Sequence, residues 1–296
     1  MKIPLREAVS VTLTYADIFG YPLTGAEIAY WLVGRSLTSA ETKIGGKRQF
    51  YFLPGRGRLV ALRRERESWS ATKWQIARKI GGWLRLVPTL KLVGVTGGLA
   101  VNNAKKDDDI DLFLVTAQGT LWISRLVATI LVEILGKRRR PGEQSFKDKI
   151  CLNMFMAEDH LALTASERDL FAAHEILQMR PLWERDRAYQ KFLKANAWVA
   201  KFLPNAWKEK VKSEKLKVKS ELKGFLFSIW HLAFSILEPV ARAFQVWYMR
   251  KRRTSEVISR GVIRFHPRDA RVWVRQALRR RLRRSHVPLD KIFYDR

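Results

Sequence analysis

The chain has 296 residues, enough for two or three domains with a sizeable core, and its 47% hydrophobic and 28% charged content belongs to a folded protein. A balance of 56 basic against 28 acidic residues gives a formal charge of +28, a field that attracts nucleic acid, anionic membrane surfaces or polyphosphate substrates but says nothing about fold. The single cysteine, Cys151, excludes an internal disulfide and any cysteine-rich zinc site.

The first segment lacks the continuous apolar stretch of a signal peptide and carries Glu7 and Asp17, so the expected location is the cytoplasm. Leu5, Val9, Leu13, Ala16 and Phe19 recur near helical spacing over residues 5–19, and Tyr21-Pro22 breaks that helix. Thr24, with Glu27 three residues on, makes a capping box for a helix over residues 25–33, which Gly34 ends. A third short helix is expected over residues 39–44, and residues 49–53 and 59–62, joined through Pro54-Gly55, read as a two-stranded wing. Three helices and a wing resemble a winged-helix module over residues 1–64. The resemblance implies either docking on DNA or RNA through a recognition helix or a packing role, and the third helix carries only one base, Lys43. Residues 65–86 follow as a long helix, weakened by Gly81-Gly82 and stopped by Pro88, which connects this module to the next over 65–90.

Residues 91–116 are the stretch around which the rest is organised. Two short apolar runs, 91–95 and 110–115, read as buried strands, and between them lie Gly97-Gly98 and the acids Asp107, Asp108 and Asp109, with Asp111 just beyond. Alternation along the strand puts Asp109, Asp111 and Phe113 on one face and Ile110, Leu112 and Leu114 on the other. Two carboxylates side by side raise each other's pKa unless a cation lies between them, and hard oxygen ligands of this kind suit Mg²⁺. The order of strand, glycine turn, short helix and Asp-x-Asp on the next strand resembles the nucleotidyltransferase superfamily of minimal nucleotidyltransferases and DNA polymerase beta. Here it is carried by Gly97-Gly98 and, eleven residues beyond Gly98, by Asp109-Ile110-Asp111. The resemblance implies an α+β core with a mixed sheet over residues 91–165, catalytic and Mg²⁺-binding roles for Asp109 and Asp111, and nucleotide contacts at Gly97 and Gly98. Asn102 and Asn103 either line that loop or serve its turn. The family's serine is Gly98 here, and its third carboxylate comes from a later strand.

Gly119 opens an apolar helix over 120–135, shorter than the roughly 20 residues of a membrane span and suited to the crossover between strands. The basic loop 136–142 is either a solvated turn or a phosphate contact through Arg138, Arg139 or Arg140. Residues 149–156 read as a strand with Ile150, Leu152, Met154 and Met156 on one face and Cys151, Asn153 and Phe155 on the other. Asn153 stands where the family places its third carboxylate, and an amide oxygen can ligate a metal but brings no charge and cannot act as a base. Either Asn153 completes a weakened metal site, Asp148 or Glu143 substitutes, or the enzyme is degenerate.

A helix over 166–179, with Ser166 as its cap and His174 in a structural role, and a second over 186–202 make a helical extension across 166–206. Residues 207–223 form a charged linker or a solvated helix in which KVKSE occurs at 210–214 and again at 217–221. Residues 224–237 are uncharged but too short to span a bilayer, Glu238-Pro239 close them, and 241–249 continue as a second helical piece. A buried helix is expected there in preference to a peripheral membrane anchor. Residues 250–296 hold 16 basic and 4 acidic residues, a net +12, and 270–284 form a basic amphipathic helix with Asp269 as its cap. The region 224–296 is thus expected to be helical and basic, a platform for RNA or DNA phosphates.

The expected function is Mg²⁺-dependent transfer of a nucleoside monophosphate from an NTP such as ATP to an RNA, protein or small-molecule acceptor. The alternative is a catalytically degenerate nucleotidyltransferase-fold protein that binds nucleic acid through its winged helix and basic C-terminal region. A membrane surface is the less favoured partner.

Overall fold

The computed structural model describes residues 3–38, 49–140, 142–216, 225–250, 257–259, 261–264 and 270–283. The expected helix over 39–44, the second KVKSE copy and the Asp269 cap lie outside the described residues.

Helix α1 (Leu5–Ile18) leads into strand β1 (Leu23–Thr24) and helix α2 (Gly25–Tyr30). The capping box forms as expected: Glu27 N–H donates to Thr24 Oγ1 at 3.2 Å and Thr24 N–H donates to the Glu27 carboxylate at 2.8 Å. Strand β2 (Phe50–Tyr51) pairs antiparallel with β1, not with residues 59–62. Those residues are the first turn of helix α3 (Leu59–Leu84), so the expected wing loses its second strand. Buried positions along α3 fall at Leu59, Arg63, Ser70, Lys73, Ala77, Ile80 and Leu84, a three-four spacing that already starts at Leu59. Arg63 holds that first turn in place by donating to both Glu27 carboxylate oxygens at 2.8 Å. Near the end of α3, Gly81 leaves room for Leu182, whose Cδ1 would lie 2.6 Å from an added Cβ.

The body of the protein is α+β: strands β3 (Leu90–Val95), β4 (Ile110–Thr116), β5 (Ile150–Ala157), β6 (Arg180–Glu184), β7 (Val257–Ile258) and β8 (Val262–Arg264) form one mixed sheet. Its order is β6-β3-β4-β5-β8-β7, with β4 and β5 parallel and every other pair antiparallel. A four-residue helix α4 (Gly97–Ala100) follows β3, and helix α5 (Leu121–Ile134) makes the crossover from β4 to β5. Helices α6 (Leu170–Gln178), α7 (Ala188–Ala195), α8 (Pro204–Leu216), α9 (Phe225–Met249) and α10 (Ala270–Leu282) are the further α-helices among the described residues.

Both faces of the sheet are covered, and two separate cores result. Ile110, Leu112 and Leu114 pack with Ala77 of α3, Val132 of α5 and Ala241 of α9. Phe113 and Val115 pack on the opposite side with Val11 of α1, Ile176 of α6, Phe192 of α7 and Val274 of α10. Asp169, not Ser166, caps α6, accepting from Ala172 N–H at 2.8 Å. Residues 186–202 do not run as one helix, because α7 stops at Ala195 and a short 3₁₀ turn, Ala197–Lys201, follows. Residues 207–216, expected as a charged linker or a solvated helix, are helical and continue α8. The region 224–296 is not purely helical, since β7 and β8 extend the sheet beside β5. Pro239 lies inside a continuous α9 instead of ending a helix. No helix among the described residues is long and apolar enough to cross a membrane.

Candidate metal and nucleotide site

Strand β3 ends at Val95, and the chain turns sharply over the end of β4. Thr96 N–H donates to the Asp111 carbonyl at 3.0 Å, and Gly97 sits at φ +65° with its missing Cβ only 3.0 Å from Asp111 Oδ2. A side chain there would be strained by the backbone and would press on the carboxylate, so glycine is required twice over. At Gly98 an added Cβ would lie 3.3 Å from the Asn103 carbonyl oxygen, and Asn103 N–H closes the loop by donating to Gly98 O at 2.8 Å. The loop is packed on itself at the position where the family carries serine.

Asp109 and Asp111 come together as the strand alternation requires. One ligand atom from each, together with Cys151 Sγ, lies within 4.8 Å of the others. Arg139 Nη1 donates to Asp109 Oδ2 at 2.6 Å, and its guanidinium lies 4.5 Å above the Phe146 ring. Of the three arginines in the basic loop, Arg139 turns to the site, whereas Arg138 and Arg140 pair with Glu133. Burial pushes the Asp111 carboxyl up to about 7, and the neighbouring Asp109 charge adds to it, against a hydrogen bond from the Cys151 thiol. Burial also raises the Cys151 thiol well above its usual range, with both aspartates reinforcing it, so it remains a neutral donor to Asp111.

Cys151, not Asn153, is the residue of β5 in register with Asp111. The register then slips, because Leu112 faces Leu152 while Phe113 faces Met154, leaving Asn153 as the extra residue of a bulge. The bulge breaks the alternation expected along this strand: Leu152 and Phe155 pack in the core of α3 and α5, whereas Met154 and Met156 pack in that of α6 and α7. Asn153 is buried and lines the same cavity as Asp111. The two acids considered as substitutes are engaged elsewhere: Asp148 accepts from Lys73 Nζ at 2.7 Å, and Glu143 accepts from Arg140 N–H at 3.0 Å.

Asp107 is exposed, and Asp108 stays out of the pair for a visible reason. Asp108 Oδ2 accepts from Lys105 N–H at 2.8 Å, and the Asp108 carbonyl accepts from Lys73 Nζ at 2.6 Å. Lys73, 1% exposed, also donates to Lys106 O at 3.2 Å and thus ties α3 to the aspartate loop and to Asp148 at once. Lys73→Met is expected to destabilise the protein by about 2–4 kcal/mol, since it orphans a carboxylate and two carbonyls. The shift of the denaturant midpoint measures it, and a shift near zero would remove Lys73 as the anchor of the loop.

Asn102 takes the turn role. It sits at φ 57°, and its Oδ1 accepts from Trp74 Nε1 at 2.9 Å, which points it away from a ligand-binding task. Asn103 is buried between Arg66, which donates to its Oδ1 at 2.9 Å, and the Phe19 carbonyl, to which its Nδ2 donates at 3.1 Å.

Two features of the site were not expected from the sequence. Glu175 of α6 accepts the Gly97 N–H, and burial pushes its carboxyl up to about 7 against that hydrogen bond. Gly97 therefore has its N–H engaged, and Glu175 faces the site from the helix that covers it. The signal was present: Glu175 is the one acid in the largely apolar run Leu170–Gln178. The second feature is a cavity of about 240 Å³ between Asp111, Asn153 and Glu175 and an aromatic wall of Tyr15, Phe19, Tyr21, Trp31, Phe171 and Trp273. The amino-terminal helices thus close the site instead of standing apart from it. His174 borders this cavity as a neutral, structural residue, stacked on Tyr15 at 3.9 Å and lowered to about 4 by burial. A basic groove with Arg56, Arg58, Arg66 and Lys105 adjoins the cavity at Gly98, Asn103 and Trp273.

Two carboxylates at one point, with an amide in the same cavity, suit a hard divalent cation, whereas the neutral thiol does not add to that fit. Compared with protein-family models, curated proteins and solved structures, the chain matches none of them.

Proposed function

We propose that the protein is a nucleotidyltransferase that moves a nucleoside monophosphate from an NTP to an acceptor hydroxyl. The observation that carries this reading is the Asp109–Asp111 pair at the start of β4, with a glycine turn from the neighbouring antiparallel strand lying directly on Asp111. The parallel pairing of β4 with β5 and the cavity beside the carboxylates support the same reading. Asp109 and Asp111 would hold Mg²⁺, with the Asn153 amide as a neutral third oxygen. Such an ion, when bound, supplies charge neutralisation of the phosphates and lowers the pKa of the attacking hydroxyl. Arg139 orients Asp109 through their ion pair. Gly97 and Gly98 leave the approach to the carboxylates free of side chains, and the aromatic wall takes an apolar or planar part of a substrate. The basic groove offers a path for the acceptor's phosphates, which makes RNA or DNA the partner it suits best. Incubation with labelled NTP and Mg²⁺ is expected to label an RNA, a protein or the chain itself, and no label on any acceptor class would overturn the enzyme reading.

A second reading is favoured by one observation: β5 presents Cys151 and Asn153 where a third carboxylate would stand. On it, the fold is catalytically degenerate and binds nucleic acid through the basic groove and basic C-terminal region. Tight nucleic-acid binding that falls steeply with salt, without NTP turnover, selects this second reading.

A further inference from the structure

Helix α9 turns one face to the core and, among the described residues, leaves an apolar face uncovered. Ala241, Gln245 and Met249 face α5, where Gln245 Nε2 donates to the Trp122 carbonyl at 2.7 Å. Glu238, from the same side, accepts from Trp122 and Ile123 N–H groups at 2.8 Å each, satisfying the start of α5. On the other side Ile236, Leu237, Val240, Phe244, Trp247 and Tyr248 are exposed, with Trp247 at 70% and Ile236 at 68%. At helical spacing these six fall within an arc of about 120°. They form one patch, since the Phe244 ring lies 6.3 Å from that of Trp247 and 6.4 Å from that of Tyr248. Single exposed apolar residues are ordinary, but a continuous stripe ending in Trp-Tyr is not. The expectation of a buried helix therefore fails for this half of α9.

Charge decides what covers the stripe. Arg250 is exposed directly after the last residue of α9 and the sequence continues as Lys251-Arg252-Arg253, whereas Arg242 lies on the Glu238 side of the helix, away from the stripe. At the Tyr248 end the nearby charge is Arg140, and the acid beside it, Glu133 of α5, is already paired with Arg138 and Arg140. A second copy of the chain would bring another +28 against the first, which opposes self-association through this face. An apolar aromatic stripe with cations gathered at its Trp-Tyr end matches the boundary of an anionic bilayer, where rings enter the interface and basic side chains meet lipid phosphates.

We propose that α9 is an interfacial membrane-docking helix, lying flat on an anionic lipid surface with Ile236, Val240, Phe244 and Trp247 inserted. The Asp109–Asp111 site is on the opposite face of the sheet, beneath α6, so docking leaves its cavity turned away from the bilayer. The inference does not depend on the catalytic reading. The full chain is expected to sediment with phosphatidylcholine vesicles that contain phosphatidylserine and far less with phosphatidylcholine alone. Phe244→Ser combined with Trp247→Ser is expected to lower the partition coefficient at least about tenfold with an unchanged thermal melt, because both side chains are exposed. Three results would overturn the proposal: no sedimentation with anionic vesicles, equal sedimentation of wild type and double variant, or a concentration-dependent dimer that the double variant abolishes. The second would mean adsorption by net charge alone, and the third would assign the stripe to a second copy.

Discussion

Asp111→Asn is expected to lower metal-dependent nucleotidyl transfer by about three orders of magnitude or more, while making the metal-free protein more stable above neutral pH. The two effects share one cause. Burial and the adjacent Asp109 push the Asp111 carboxyl up to about 7, so the folded protein holds its proton where the unfolded chain has lost it. An acid whose folded pKa is raised contributes stability below its unfolded value near ~3.9, and that contribution is lost as pH rises toward the folded value. At pH 8 the ionised Asp111 is therefore a cost to the fold. Removing it returns on the order of 1–2 kcal/mol after allowance for partial exposure. Asp109→Asn behaves differently: it costs a comparable share of activity but leaves Arg139 without the carboxylate 2.6 Å away, so stability falls by about 1 kcal/mol. Thermal melts at pH 5 and pH 8, run beside the labelling assay, separate the two. A pair of variants with unchanged transfer would remove the aspartates from catalysis, whatever the melts show.

What the sequence makes legible here is what is local. The Thr24–Glu27 box, the long helix before Pro88, the apolar helix after Gly119 and the Asp109–Asp111 alternation each depend on spacing within a few residues, and each is present in the structure. What is not legible depends on partners far along the chain. Strand β6 contains Pro181 and a charged residue at either end, a poor strand by composition, yet it pairs with β3 at the edge of the sheet, where a missing N–H is tolerated. Strands β7 and β8 are two and three residues long and exist through pairing with each other and with β5. The bulge at Asn153 has no signature in a run of eight residues without glycine or proline. It nonetheless decides that Cys151 faces Asp111. Glu175 shows the same limit, because its spacing fixes a place on α6 but not that α6 lies over the glycine turn.

Divalent-cation affinity should rise about tenfold per pH unit below about 7 and level off above it. The ion requires Asp111 ionised, and in the metal-free protein that carboxyl is protonated below about 7, so each binding event displaces a proton. Glu175, also raised to about 7, touches Gly97 on the far side of the same carboxylate. The two acids repel when both are charged, so a cation at Asp111 makes ionisation of Glu175 easier as well, and the slope steepens beyond tenfold per unit. Glu175→Gln removes that second proton and should bring the slope back to about tenfold while leaving the plateau affinity within a factor of a few. Calorimetry of Mg²⁺ or Mn²⁺ binding in buffers of different ionisation enthalpy counts the protons directly, with one or more released per ion at pH 6 and almost none at pH 8.5. Because the metal-free fold loses stability between about 4 and 7 as these acids are forced to ionise, the rise in melting temperature on adding the cation should grow over the same window. A flat affinity from pH 5.5 to 8 would place Asp111 outside the coordination sphere and leave Asp109, paired with Arg139, as the only carboxylate in contact with the ion.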